Sequence, residues 1–231
     1  MNGYGYAVSI FYGDSLLYFP AVLRILGFTV QGAYKAYVLT INFATIAVSY
    51  WCFYKIIRNR KIALAGCVVY VLAPYRLLCI YLRGAVGEYT AMLFLPLVLY
   101  GLYVIYAEND KRAKWLPLAI GFAGLVQCHI ISTLLTALFA ALFCFANLKK
   151  TVRWKNFKQL LIAVCAVVVA DFWFIVPFLD YYINVDVKIT DHVQNDVMKI
   201  QKFGAYVGEY FTFFRKVWGH ASESMLGRMQ I

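Results

Sequence analysis

Residues 89–106 read YTAMLFLPLVLYGLYVIY, and this run contains no charged side chain. A helix needs about 20 mostly apolar residues to cross the hydrocarbon core of a bilayer. The whole chain has the same character, since 63% of its residues are hydrophobic and only 14% are charged. A soluble domain has about 25% charged residues. The composition therefore excludes an ordinary soluble fold and a disordered chain, and it indicates a membrane protein.

Working outward from this run, six stretches qualify as membrane spans or come close. They are residues 33–54, 62–81, 89–106, 115–130, 132–146 and 157–182. The fourth and fifth are short and joined by almost nothing, which predicts a tight helical hairpin. We therefore predict an all-α, polytopic helical membrane protein with about six transmembrane helices over residues 33–182.

The segments on either side of these spans are predicted to lie on the outer face. In residues 1–32, Asp14 and Ser15 are suitable N-cap residues for a short helix that ends near Gly27 and is interrupted by Pro20. That helix is too short to span comfortably, so we expect an interfacial or re-entrant segment. Residues 183–231 are expected to form an extracytoplasmic tail or the start of a further helix.

Basic residues decide the predicted orientation. They occur in three turns, as Lys55, Arg58, Arg60 and Lys61, then Lys111, Arg112 and Lys114, then Lys149, Lys150, Arg153, Lys155 and Lys158. The short loops on the opposite side hold only Arg76 and Arg83. Cytoplasmic loops carry the excess of Lys and Arg, so the three basic turns are predicted to face the cytoplasm of a multi-pass cell-membrane protein. The formal net charge of +11 is then explained by the orientation of the protein in the membrane, and no nucleic-acid partner is expected.

This orientation puts both chain ends outside, although residues 1–32 lack a secretory signal and Arg24 is the first basic residue. One interpretation is that a helix precedes this chain and that the chain is a fragment of a larger protein. The alternative is direct insertion of a short outward-facing tail. We favour the fragment as a working expectation.

The most informative polar stretch is APYRLLCIYLRGAVGEY at residues 73–89. Arg76 and Arg83 would share a face if one helix continued through both. Gly84 and Gly87 would break that helix, and Glu88 then lies near the start of the next one, where a carboxylate is favoured. One interpretation is an Arg–Glu clamp between two helices. The other is a cationic site for a phosphate, since the guanidinium fork matches phosphate geometry.

Two further polar residues allow alternative interpretations. His129, at the outer end of the fourth stretch, is either a packed, hydrogen-bonded residue or part of a site. Asp171 is the most deeply placed acid of the chain. It forms either a hydrogen bond to a neighbouring helix or a cation or proton site. Asp180, nine residues later, would face the opposite side of a straight helix unless Pro177 bends it.

The six cysteines all lie in apolar segments, without CxxC or Cys/His metal spacing. We therefore infer no disulfide, no zinc site and no cofactor. The candidate polar groups instead map to the outer half of the predicted topology, while the cytoplasmic turns are short. This favours an outward-facing site at the level of the lipid headgroups, with membrane lipid as a partner and a lipid-linked substrate.

Several motifs resemble a bacterial family of integral membrane proteins that is usually labelled "6-pyruvoyl-tetrahydropterin synthase-related". They are NGYGY at 2–6, FYGD at 11–14, LYFPA at 17–21, APYR at 73–76, RGAVGE at 83–88, LPL at 95–97, QCH at 127–129 and PFLD at 177–180. The family architecture resembles GT-C glycosyltransferases. The resemblance therefore implies a GT-C-like core and sugar transfer from a polyprenyl-phosphate donor on the outer face.

The resemblance also suggests roles for the candidate residues. Arg76 and Arg83 would bind the lipid phosphate, Glu88 would orient them, and His129 would line the pocket. Relatives begin with a further helix and an acidic outer loop, which in GT-C enzymes holds the catalytic acid. That loop is absent here, and Asp14 does not replace it, so no catalytic base is assigned. This departure suggests a fragment that is inactive by itself.

Two other classes of function remain open. A transporter or lipid flippase would use Asp171 as its coupling or gating acid, although no internal repeat of the kind common in transporters occurs. The third class is a non-catalytic membrane protein. The sequence thus leaves enzymatic activity an expectation that depends on the resemblance.

Overall fold

The computed structural model describes residue 10, residues 12–108 and residues 113–184. Within these ranges the fold is helical and contains no strand, which confirms the predicted all-α class. The predicted tail after residue 184 and residues 1–9 of the predicted outer segment lie outside the described residues. So do Lys111 and Arg112 of the second basic turn.

A 3₁₀ turn, Ser15–Leu17, precedes eleven α-helices in the described part of the chain. These are α1 (Tyr18–Ile25), α2 (Val30–Ile57), α3 (Arg60–Val71), α4 (Pro74–Tyr81), α5 (Val86–Ala91), α6 (Leu95–Ala107), α7 (Leu116–Cys128), α8 (Ile130–Ala146), α9 (Leu148–Thr151), α10 (Trp154–Ala170) and α11 (Phe172–Asn184).

The short helix predicted before Gly27 is present as α1, but two predicted details were wrong. Asp14 occupies the position before the 3₁₀ turn without a capping hydrogen bond from its side chain. Pro20 does not interrupt α1, because it lies in the first helical turn, where its missing N–H has no intrahelical partner to lose.

By length and composition, two helical segments can each cross a membrane: α2, and the continuous segment Val86–Ala107 that contains α5 and α6. The pair α3 and α4 is bent by 46°, and the pair α10 and α11 by 77°. Counting each bent pair as one span raises the number in the described ranges to four. The fourth and fifth predicted stretches correspond to α7 and α8, whose 13 and 17 residues are short for a span. A total of six spans therefore stays a prediction.

The chain divides into two compact units, Met1–Phe178 and Leu179–Ile231. The first unit contains helices α1 to α10. Of the second unit, the structure describes residues 179–184, where Asn184 donates a hydrogen bond to Asp180 Oδ1 at 2.7 Å. The predicted three-way division at residues 32 and 182 stays a prediction.

The described parts of the three basic turns lie at one end of the helices of the first unit. Arg58, which follows α2, forms an ion pair of 3.6 Å with Glu108, which follows α6. Near the end of α6, the Tyr106 hydroxyl lies 2.6 Å from Thr151 Oγ1 in the third basic turn. The described parts of the basic turns are therefore gathered on one side, as the charge pattern predicts.

The core lies where α6 packs against α7 and α10. Its buried members include Val98, Leu102 and Ile105 of α6 and Leu118 of α7. Close contact between α6 and α7 requires Gly101, because a Cβ there would lie 2.5 Å from the backbone nitrogen of Leu118. Small residues allow such backbone approach in membrane helix pairs, where dispersion contacts rather than the hydrophobic effect hold the helices together.

We predict that Gly101→Ala separates α6 from α7 and destabilises the protein by about 1–3 kcal/mol, the usual cost of overpacking. The measurement is the thermal unfolding midpoint of the purified chain in detergent. Gly66→Ala is the matched control, because a Cβ at this helical glycine would first meet the Phe53 side chain at 3.5 Å, an ordinary van der Waals distance. Equal midpoints for the two variants would contradict the packing argument.

Candidate functional site

A cavity of about 400 Å³ lies at the end of the helices opposite the basic turns. Its walls come from residues in segments 12–17, 84–90 and 127–129, and from Tyr37 of α2. The volume lies within the range of small-molecule sites. Each lining segment is a break between helices or the start of one, so this end of the first unit combines loop backbone with polar side chains.

Two glycines allow these segments to meet. A Cβ on Gly87 would lie 2.6 Å from the carbonyl oxygen of Cys128, and a Cβ on Gly13 would lie 2.6 Å from Cα of Gln127. No side chain fits at such distances without a backbone shift. The first segment and the start of α5 therefore both press against the junction between α7 and α8, and together they enclose the cavity.

Glu88 is the acceptor of a small hydrogen-bond cluster at the cavity wall. Its Oε2 accepts from the Tyr75 hydroxyl at 2.6 Å, from Arg83 NH1 at 2.9 Å and from Cys79 Sγ at 3.2 Å. The break at residues 82–85, where Gly84 has a φ of +58°, returns the chain so that Arg83 faces the first turn of α5. Three donors on one oxygen favour the charged carboxylate. The predicted Arg–Glu clamp is therefore present, with Arg83 as its cation.

Arg83 uses only part of its guanidinium group in this cluster. Within the described residues, its hydrogen bonds to Glu88, Tyr75 and Cys79 all begin at NH1. Its side chain is 33% exposed, and the next residue, Gly84, lines the cavity. The NH2 and Nε groups can therefore donate to an anion while NH1 stays on Glu88.

Arg76 lies elsewhere, because the condition for a shared face with Arg83, one helix that continues through both residues, is not met. Helix α4 ends at Tyr81, before Arg83. The Arg76 side chain is buried at 2% exposure; its NH2 donates to Asn42 Oδ1 at 2.7 Å and its NH1 to the carbonyl oxygen of Val71 at 3.1 Å. Val71 ends α3, so Arg76 satisfies a carbonyl at the bend between α3 and α4.

His129 lines the cavity and also caps α8. Its Nδ1 accepts from the backbone N–H of Ser132 at 3.3 Å and lies 2.9 Å from Ser132 Oγ, while its ring lies 6.1 Å from that of Tyr12. Burial lowers the pKa of His129 below its usual value, with Arg83 adding to this effect and Glu88 opposing it. The neutral ring, which the cap requires, is therefore favoured.

Besides the cluster around Glu88, a second polar chain, meaning a row of hydrogen-bonded side chains, runs from Asp171 through Gln127 to Ser15. Gln127 Nε2 donates to Asp171 Oδ1 at 2.8 Å, and Ser15 Oγ donates to Gln127 Oε1 at 2.8 Å. The interpretation of Asp171 as a hydrogen-bond partner of a neighbouring helix is thereby confirmed. Sequence reasoning missed Gln127 as that partner, although an amide within the apolar run 115–128 was a visible signal.

The structure brings only part of the predicted substrate-binding set together. Glu88 and His129 line the cavity, Arg83 contacts Glu88, and Arg76 is absent from the cavity lining. Tyr75 and Cys79, which hold Glu88, were missed because only the 82–85 turn brings α4 against α5. In the described ranges, no group of three His, Cys, Asp or Glu side chains is arranged to hold a metal.

The chain was compared with protein families, curated proteins and solved structures. A protein-family model described as "6-pyruvoyl-tetrahydropterin synthase related domain; membrane protein" matches residues 11–208. No curated protein and no solved structure matches the chain. The match covers the cavity, both polar chains and all the helices described above.

We predict that His129→Ala destabilises the protein by about 1 kcal/mol through loss of the α8 cap, while His129→Asn, which keeps an acceptor, costs less. The pKa of His129 in the folded protein lies below the value of about 6.5 in the unfolded chain. At a pH between these two pKa values, the unfolded chain therefore binds more protons than the folded one. Wild-type stability should therefore fall as the pH drops below about 6.5. Unfolding midpoints between neutral and acid pH test this, and an equal slope in His129→Asn would contradict it.

Proposed function

The chain belongs to the 6-pyruvoyl-tetrahydropterin synthase related family of membrane proteins, and from this premise we propose that it forms part of a GT-C-like glycosyltransferase. The proposed reaction transfers a sugar from a polyprenyl-phosphate donor to a hydroxyl group of a glycan or lipid on the outer face of the membrane. The bond from the sugar to the phosphate oxygen breaks, polyprenyl phosphate leaves, and the acceptor hydroxyl gives up its proton to a base. The observation that carries the proposal is the Arg83–Glu88 pair at the edge of the cavity.

The pair offers complementary groups for the two polar parts of such a donor. Arg83 has NH2 and Nε free for a phosphate, which a guanidinium binds through paired hydrogen bonds. Glu88 lies in the cavity wall, where a carboxylate accepts hydrogen bonds from sugar hydroxyls. Positive charge beside the departing phosphate stabilises the leaving group, so Arg83 would contribute to the transition state.

The surface next to the cavity suits the isoprenoid part of the donor. Leu16 and Leu17 line the cavity, and the helix that follows them, α1, carries exposed apolar side chains. Val22 is 51% exposed, and Ile25 is 85% exposed. A lipid tail lying along α1 would therefore leave its phosphate at the cavity mouth. The catalytic base stays unassigned, because no carboxylate besides Glu88 lines the cavity within the described ranges.

The proposal is tested in membrane vesicles from cells that produce the whole protein containing this chain, so that natural acceptors are present. Polyprenyl-phosphate hexoses are added, and mass spectrometry measures the released polyprenyl phosphate. Arg83→Gln should lower turnover about 100-fold, the usual cost of losing a donor to developing charge. Arg58→Gln is the matched control. It removes the Arg58–Glu108 ion pair among the basic turns, at the end opposite the cavity, so turnover should stay unchanged.

Unchanged turnover in Arg83→Gln, or no release of polyprenyl phosphate by the wild-type protein in these vesicles, would refute the transferase proposal. Movement of the intact donor across the vesicle membrane, without cleavage, would refute it in favour of a flippase.

We also propose that the cavity opens outward, because the gathered basic turns favour the cytoplasmic side. Cysteine labelling with a membrane-impermeant reagent on intact cells tests this in a Cys165→Ser background, which removes the exposed native thiol. Leu82→Cys should react, while Lys61→Cys and Arg153→Cys should stay protected until the cells are opened. The reverse pattern would overturn the orientation.

A further inference from the structure

Asp171 is a buried acid that the proposed reaction does not use. It follows α10, at the break before α11, and is 3% exposed. Its Oδ1 accepts from Gln127, whereas its buried Oδ2 has no hydrogen-bond partner within the described residues. Both ion pairs of the described residues, Arg58–Glu108 and Arg83–Glu88, leave Asp171 without a cation.

This environment suits a carboxylic acid better than a carboxylate. A buried carboxylate needs several donors or a counter-ion, because desolvation of a charge costs far more than desolvation of a neutral polar group. Asp171 receives one hydrogen bond, and that bond comes from a neutral amide. The titratable group that faces it is the Cys128 thiol, which adds no positive charge.

Gln127 connects this acid to the cavity. The amide lines the cavity wall, donates one hydrogen bond from Nε2 to Asp171 Oδ1, and accepts one from the Ser15 hydroxyl on Oε1. Donor and acceptor ends are thus both fixed, so the amide has one orientation. Ser15 in turn begins the 3₁₀ turn after Gly13, the glycine that packs against Gln127.

We propose that Asp171 is a proton-binding positioning residue: as a neutral acid it holds Gln127, and through Gln127 the cavity wall and the Ser15 turn. When Asp171 loses its proton, Oδ1 and Oδ2 together require donors that this site does not supply. Water or a rearranged amide must then reach the carboxylate, and the wall formed by Gln127 and Ser15 loosens. The shape of the cavity is therefore linked to a proton that lies outside it.

Infrared spectroscopy of the purified chain in D₂O tests the protonation state directly. The carboxylic-acid C=O band should be present at neutral pH, and Asp171→Asn should remove it. Asp180→Asn is the matched control, because Asp180 is an exposed acid on α11 and should leave the band in place. A band that appears only in acid, or that survives in Asp171→Asn, overturns the proposal.

The link to Gln127 has its own test. Gln127→Leu removes the hydrogen bond to Oδ1, so the band of Asp171 should move to higher frequency, and an unmoved band overturns the link. Neither infrared test depends on substrate, so both can succeed if the proposed transferase function fails.

A third measurement rests on the proposed function and uses polyprenyl phosphate as the probe. The affinity of the wild-type protein for polyprenyl phosphate should fall about tenfold when the pH is raised until the acid band disappears. This is the effect expected when a buried hydrogen bond is lost. Asp171→Asn cannot ionise and should bind equally at both pH values. If binding occurs and both proteins show the same pH dependence, the switch proposal is refuted while the transferase proposal stands.

Discussion

A broken helix in a bilayer must satisfy its own backbone, because the hydrocarbon core has no water to replace the lost hydrogen bonds. The breaks described here follow this rule by using side chains. Arg76 donates to the carbonyl that ends α3, and the His129 ring accepts from one backbone N–H, that of Ser132, in the first turn of α8. The third break, before α11, places Asp171 within reach of Gln127. The polar residues of this apolar chain are therefore concentrated where helices stop, and the cavity forms among the same breaks.

The cavity also depends on two glycines in its walls. Gly13 and Gly87 lack side chains at the points where two segments contact the backbone of residues 127 and 128. This contact keeps loop backbone covered by protein, which is the condition for irregular structure at membrane depth. It also holds Glu88 next to His129 without a direct bond between them. Packing between backbones, rather than a hydrogen bond, thus determines how the two polar chains face one another.

Apolar runs and basic turns were enough to predict the helical class, the approximate positions of the helices and the gathering of the basic turns. They did not determine which helices are long enough to span, because an apolar run does not show how far the helix axis turns at a break, which is 46° before Pro74 and 77° before α11. The Arg–Glu pair was predictable from Gly84 and Glu88. The separation of Arg76 from Arg83 was not, since it depends on where α4 stops and on Asn42, 34 residues earlier. The motif resemblance anticipated the family, but pairwise contacts required the folded chain.

The guanidinium of Arg76 has a further electrostatic consequence. Within the described residues its partners are neutral oxygens, so its positive charge is not cancelled where it lies. Mobile salt ions cannot approach a group at 2% exposure, and fields in a poorly polarisable interior decay slowly. Arg76 therefore contributes a positive potential that bulk electrolyte screens weakly. An anionic headgroup moving within the leaflet would be attracted by this potential even at high ionic strength, whereas the basic turns at the other end attract their counter-ions from solution.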